Sequence, residues 1–290
     1  MIGNLKIAII SGKGGSGKSS VSAAFAALAD RVVAVDCDVD ASNLPLIFPH
    51  EVLQTESFAS GISARVDPER CMGCGRCAGS CAFGAITLVN GIAQVNPFFC
   101  EGCGLCRHLC PDNAIGLEEV SYSQIFESRF RNGLLIHGDL HPGDDHSGKM
   151  IACLREIADR RMREEDIRLQ LLDGPPGIGC PVLSTVTGED RVVIVCEPTL
   201  SGMADLERAW QVAGSFCRDI MVIINKADLN LMNRNAISAF CRDRKLPVVA
   251  ELPFDRQIVD AQLHCQSIVD YAPASNCAHA LRSAWKKVSL

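Results

Sequence analysis

Gly12-Lys13-Gly14-Gly15-Ser16-Gly17-Lys18-Ser19-Ser20 is the stretch that decides the fold of this 290-residue chain. Before it, residues 6–11 (Lys-Ile-Ala-Ile-Ile-Ser) read as a buried strand. After it, residues 21–29 read as a helix. A strand, a glycine-rich loop and a helix in that order form the setting of a phosphate-binding loop. Glycines let backbone amides close on an anion, and the helix N-terminus adds its partial positive charge. Lys18 is placed to reach the β- and γ-phosphates of a nucleotide, and Ser19 to ligate Mg²⁺. Gly12, Gly14, Gly15, Ser16, Gly17 and Ser20 complete the cradle.

Outward from this loop the chain alternates strands and helices, the pattern of an α/β domain with a mostly parallel sheet. Residues 31–35 form a strand that ends in Asp36-Cys37-Asp38-Val39-Asp40. Residues 169–172 form another, ending in Asp173-Gly174-Pro175-Pro176-Gly177. Carboxylates at the C-terminal ends of such strands sit where α/β sheets bind ligands. Strands follow at 192–196, 220–224 and 248–252, with helices at 203–216 and 276–288.

The second informative feature is cysteine. The chain has 16, and eight of them fall between positions 71 and 110. They read Cys71-x2-Cys74-x2-Cys77-x3-Cys81 and Cys100-x2-Cys103-x2-Cys106-x3-Cys110-Pro111. Each cysteine of the first run has a counterpart 29 positions later, as do Gly73, Gly75, Ala85, Ile86 and Leu88. This is an internal duplication. The spacing is that of bacterial ferredoxins with two [4Fe–4S] clusters, where the fourth cysteine of each run ligates the other cluster. Cys71, Cys74, Cys77 and Cys110 are assigned to one cluster, and Cys100, Cys103, Cys106 and Cys81 to the second. Zinc sites show separated CxxC pairs instead. The first run ends in Cys81-Ala82, without the proline that follows Cys110. The expected organisation is a P-loop domain over residues 1–66 and 120–290, with an α+β 2[4Fe–4S] ferredoxin domain inserted at 67–119.

Because the loop carries Lys13 as well as Lys18, the sequence resembles the deviant-Walker ATPases of the MinD/ParA superfamily. That group includes the nitrogenase iron protein and, more distantly, nickel-insertion ATPases. The resemblance spans nearly the whole chain. It implies ATP and Mg²⁺ as ligands and ATP hydrolysis as the activity. It also implies a nucleotide-sandwich dimer, of this chain with itself or with a similar ATPase, in which Lys13 reaches the partner's phosphates. Asp38 would orient the attacking water, Asp36 would support the metal's water shell, and Asp173 would hold a Mg²⁺-bound water. Gly177 would donate near the γ-phosphate, Asn225 would read the base edge, and the loop at Pro253 would flank the base. Asp40 reads as a capping or loop residue. Catalysis of this kind is positioning plus charge neutralisation.

The remaining signals are weaker. Cys180 follows Asp173 by seven positions, the offset of a bridging-cluster ligand in the nitrogenase iron protein; that resemblance implies a thiol able to ligate a metal shared across a dimer axis, the alternative being a residue packed under a loop, and Cys153, on a helix at 148–163, is its companion candidate. Cys37, Cys196, Cys217, Cys241, Cys265 and Cys277 are scattered singly and read as packing residues. Residues 137–149 are rich in His and Asp, and suggest either a metal site or a capped helix start before Ser147. The tail Arg282-Ser283-Ala284-Trp285-Lys286-Lys287 reads as a docked helix rather than a membrane-surface one. The net charge of −6 argues against a nucleic-acid partner. No apolar run reaches membrane-spanning length, and residues 1–6 lack a secretion signal. Sixteen thiols then imply a reducing, cytoplasmic setting. The client would be a redox protein or metalloprotein; a nucleotide-switched localisation or scaffold protein with structural or sensing clusters is the alternative.

Overall fold

The computed structural model describes residues 4–59, 61–120, 122–142, 144 and 146–290. In chain order the first elements are β1 (Leu5–Ser11), α1 (Lys18–Leu28), β2 (Val32–Asp36), α2 (Leu44–Ile47), β3 (His50–Phe58) and β4 (Gly61–Val66). Next come α3 (Arg76–Ser80), β5 (Ile86–Val89), β6 (Ile92–Val95), α4 (Leu105–Leu109), β7 (Ile115–Val120), β8 (Ser123–Phe130) and β9 (Gly133–Asp139). Then follow α5 (Ser147–Glu164), β10 (Leu169–Pro176), α6 (Cys180–Val186), β11 (Arg191–Cys196), α7 (Leu200–Gly214), β12 (Asp219–Ile224) and α8 (Leu231–Asp243). The last are β13 (Val248–Glu251), α9 (Gln257–Leu263), α10 (Ile268–Tyr271) and α11 (Asn276–Val288).

Nine strands form one sheet in the order β13-β12-β11-β1-β10-β2-β9-β8-β3. The pairings from β13 through β9 are parallel. The middles of these strands are apolar at successive positions, as strands covered on both faces are. On one face Ile7, Ile9, Ala34, Leu171, Val193 and Ile223 pack with Phe25 of α1 and Leu281 of α11. The alternate residues Ala8, Ile10, Val33, Val35 and Leu172 are equally buried on the other face. There α5, α6 and α7 lie against β2, β10, β1 and β11. The tail expectation holds: Cys277, Ala278, Leu281, Ala284 and Val288 of α11 are buried, and Trp285 stacks on Phe25 at 5.2 Å between ring centroids. Among the described residues, no helix is long and apolar enough to cross a membrane.

The chain divides into two compact units. The first comprises 1–55, 125–139 and 147–290; the second comprises 56–124 and 140–146. The second unit contains all of 67–119 and extends beyond it at both ends. It is built on two antiparallel pairs, β4–β7 and β5–β6. The 29-residue duplication appears as repeated geometry. Gly73 and Gly102 have φ of 68° and 63°, and a Cβ on either would sit 2.0 or 2.3 Å from a carbonyl oxygen, of Gly91 or Ile62. Gly75 and Gly104 precede α3 and α4, both at φ 74°.

Candidate functional site

The carboxyl ends of β1, β2, β10, β11 and β12 bring the first set of side chains together. Gly15 and Gly17 hold φ of 78° and 90°, a region open to glycine and costly for other residues. A Cβ on Gly17 would lie 2.1 Å from Asn225 Nδ2, and one on Gly12 would lie 2.5 Å from Asp205 Cβ. At Gly12 and Gly17 the phosphate loop is thus pressed against α7 and the residue that follows β12, with no room for a side chain at either position. Ser16 is buried, and its hydroxyl has no partner in the structure.

Lys18 is 6% exposed and aims its ammonium at Asp173 Oδ1 at 2.9 Å, with Asp38 Oδ2 at 4.0 Å. It also lies 3.3 Å from the Ser19 hydroxyl. Burial works against the Lys18 charge, but Asp173, Asp36 and Asp38 outweigh it and hold the ammonium above its ordinary pKa. Asp173 is fully buried. Its Oδ1 also accepts the Ser22 hydroxyl at 2.7 Å, while its Oδ2 is buried and unpartnered. Burial likewise raises the Asp38 carboxyl, against the pull of Lys18. Asp40 is exposed.

Asp36 is engaged by the turn that follows β2. Its Oδ1 accepts the Asp38 N–H at 3.1 Å, and its Oδ2 accepts Ser42 Oγ, Asn43 N and Leu44 N at 2.8, 2.8 and 2.9 Å. Both oxygens accept within the turn that follows β2, so Asp36 braces that turn. Burial, and then the nearby Asp173 charge, push its pKa up to about 7.

The base-side residues are stitched to one another. Asn225 is 4% exposed; its Nδ2 donates to Ser16 O at 2.8 Å and its Oδ1 accepts Lys226 N at 2.9 Å. Bracing the phosphate loop is therefore a task the sequence did not announce for it. The Pro253 loop is tied to the same segment through Phe254 N to Asp228 Oδ1 at 2.7 Å and Ala227 N to Leu252 O at 2.8 Å. The Gly177 N–H, at φ 99°, donates to Ser11 O at 3.0 Å. Ser20 accepts from Gln262 at 3.1 Å. Gly14 lies beside open space.

Lys13 shows a contact that sequence reasoning missed. Its ammonium lies 3.3 Å from Glu197 Oε2 and 3.4 Å from Ser201 Oγ. Glu197 also grips Lys226 through its other oxygen. The signal that could have found it is its place: Glu197 directly follows β11, at the same sheet edge that singled out Asp36 and Asp173.

The second set lies in the second unit. One cavity is lined by Cys71, Cys74, Cys77 and Cys110, and another by Cys81, Cys100, Cys103 and Cys106. The pairing of cavity with cysteines is the crossed one read from the two runs. Cys81 and Cys110 sit just past α3 and α4 rather than on them, in extended backbone. Backbone N–H groups of Ala85, Ala114 and Ala64 point at the sulfurs of Cys81, Cys110 and Cys100, at 3.4, 3.3 and 3.4 Å. Such donors stabilise ligating thiolates. Among the described residues, no three His, Cys, Asp or Glu side chains converge as the ligands of a single metal ion do. A cubane carries iron at four corners and needs its thiolates spread around it.

Of the other thiols, Cys37, Cys196, Cys217, Cys241 and Cys277 are buried, as packing residues are. Cys265 is exposed, in a turn with φ 53°, and is not one of them. Cys180 is exposed at the start of α6, and Cys153 is half-buried in α5. In the His/Asp-rich stretch, Gly143 and Asp145 lie outside the described residues. Asp144 accepts the His146 N–H at 3.0 Å and approaches its ring at 2.8 Å, just before α5.

Residues 7–268 match the CobQ/CobB/MinD/ParA nucleotide binding domain. The chain belongs to this family. As a CobQ/CobB/MinD/ParA protein it is a P-loop ATPase, with the lysine-bearing loop and strand-end carboxylates in place. It is 39% identical over 238 residues to the uncharacterized protein MJ0578 of Methanocaldococcus jannaschii, covering 79% of this chain and 80% of that protein. It is 26% identical over 281 residues to MJ0579 of the same organism, covering 93% of each. Its fold is similar to that of the cell division ATPase MinD of Pyrococcus furiosus, with a TM-score of 0.59 and 18% identity over 99% of this chain and 98% of that one. MinD of Pyrococcus horikoshii, solved with Mg-ADP, gives the same TM-score and identity over 98% and 95%.

Proposed function

We propose that this family member is a dimeric, Mg²⁺-dependent ATPase whose hydrolytic cycle gates two [4Fe–4S] clusters carried on the same chain, for electron transfer to a partner or for maturation of a partner's metallocluster. The observation that carries the reading is the pair of four-cysteine cavities in the same polypeptide as the phosphate loop. The donor set fits the clusters: four thiols face each cavity, and peptide N–H groups point at three of the sulfurs. When bound, the clusters supply one-electron chemistry at potentials set by hydrogen bonding and exposure.

The phosphate site fits Mg²⁺ as well. Asp173 offers a buried, unpartnered oxygen, Ser19 offers a hydroxyl, and Asp38 stands alongside. On this reading Lys18 leaves its carboxylate partners for the phosphates, and the charge it abandons is made good by the cation. Gly177 must give up the Ser11 carbonyl before its N–H can serve a γ-phosphate. Asp38 orients the attacking water, and Lys13 serves the phosphates of the partner subunit. The dimer forms with a second copy or with a similar ATPase. The buried face of α11 argues against a variant of the scaffold reading in which the tail binds a membrane.

Coupling between the two functions makes the clusters' redox state matter to turnover. ATP hydrolysis by dithionite-reduced and by oxidised protein should differ by about fivefold or more, the lower end of a typical allosteric coupling. Equal rates, with and without a redox partner, would leave the clusters uncoupled from the ATPase and overturn the proposal.

A further inference from the structure

Glu197 is an acid where an anion-binding loop least needs one. A carboxylate beside a site built for a triphosphate opposes binding by simple Coulomb repulsion. It is nonetheless firmly mounted. Its side chain is 11% exposed. Its carbonyl accepts Thr199 N at 2.8 Å, and a Cβ on Gly202 would come within 2.3 Å of that same oxygen. It holds two lysines. Lys226 grips Oε1, reaches Gly15 O at 3.2 Å, and keeps a left-handed backbone with φ 54°. Strained backbone of that kind persists only where the surroundings enforce it. Lys13, by contrast, lies 3.3 Å from Oε2 and is 34% exposed.

We infer that Glu197 is a positioning residue for Lys13: it parks that lysine on its own subunit and yields it to a nucleotide bearing a γ-phosphate. The inference rests on the reading of Lys13 as the lysine that serves phosphates across a dimer. The arrangement suits exchange. Were Glu197 paired with Lys13 alone, release would strand a partly buried charge, which is costly. Because Lys226 stays on Oε1, Lys13 departs and leaves the carboxylate still paired. The contact Lys13 gives up is long and open to water, so it is weak. A triphosphate outbids it, while a diphosphate, with less negative charge and no γ-phosphate, does so poorly. Glu197 would in this way help the dimer tell ATP from ADP.

The test uses full-length, anaerobically prepared protein with Mg²⁺, and follows dimerisation by size-exclusion chromatography with light scattering. The probes are ADP and the non-hydrolysable analogue AMP-PNP. Glu197→Gln keeps the shape and an acceptor for Lys226 but removes the charge. In this variant the AMP-PNP concentration for half-dimerisation should fall about three- to fivefold, the worth of one weak ion pair, and saturating ADP should now yield dimer. Glu197→Asp, which keeps the charge, should stay monomeric in ADP. Lys13→Ala should abolish dimer in both the wild-type and the Glu197→Gln backgrounds. Should Glu197→Gln fail to fold, Ser201→Ala decides: it leaves Glu197 in place, removes the other Lys13 contact together with the 3.2 Å contact to Thr199 Oγ1, and should shift the same midpoint in the same direction. An unchanged midpoint with no ADP dimer, while Lys13→Ala still blocks association, overturns the role of Glu197 alone. If Lys13→Ala dimerises like wild type, the sandwich reading falls and takes this role with it.

Discussion

Lys18→Ala is expected to lower ATP turnover by about a thousandfold or more, because charge neutralisation at the transferring phosphoryl group is most of what such a site contributes. The same substitution should also destabilise the protein. Lys18 is the cation set among Asp36, Asp38 and Asp173, and the first and last of these are fully buried. Removing one partner of a buried ion pair costs about 3–5 kcal/mol, since the remaining charge has nowhere to go. The loss should depend on pH, with a sign fixed by Asp36. Its pKa is about 7 in the fold, against 3.8 for the free side chain, so between those values the folded protein holds a proton that the unfolded chain has released. Stability from this group is therefore full at the acid end and falls as pH rises towards 7. Without Lys18, which pulls the Asp36 pKa down, the fall continues to higher pH. Thermal melts at about pH 5.5 and about pH 8 should show a larger gap for Lys18→Ala than for wild type. An equal gap would mean that the carboxylates do not rely on Lys18.

Cys103→Ser is expected to halve the iron, from about eight to about four atoms per chain, since a cubane held by three thiolates is readily lost. Cys103 is exposed, so exchanging sulfur for oxygen there disturbs no packing. The large sheet belongs mostly to the other compact unit and has its own core, so helical circular dichroism and nucleotide binding should persist. Cys265→Ser is the control, because that thiol is also exposed and lies outside both cavities. Iron analysis of the two variants beside wild type checks the assignment. Full iron in Cys103→Ser would remove Cys103 from the ligand set.

Much of the site could be read from residue order because its chemistry is local. A glycine loop between strand and helix spans only a dozen residues, and the two cysteine runs repeat within 40. The grouping of cysteines about the two cavities was expected from the ferredoxin-type spacing of the two runs. Contacts made across the sheet were not. Asn225 touches Ser16 across 209 positions, and Lys13 finds Ser201 across 188, so no pattern within a window exposes either pair. The bracing of the turn by Asp36 was not legible either, because an acid that binds backbone amides and one that holds a metal's water look identical in sequence. The edge strand β3 was missed because its residues are mostly exposed and carry little apolar signal. That residues 140–146 group with the second unit carries no signal in the sequence, since β8 and β9 intervene.

The central claim is that one polypeptide holds both two cubane clusters and a working phosphate loop. Iron, acid-labile sulfide and bound Mg-nucleotide should be counted together on a single sample purified without oxygen. The account predicts about eight iron and eight sulfide per chain, with nucleotide bound one to one. Zinc in place of iron, or iron with no inorganic sulfide, would contradict it.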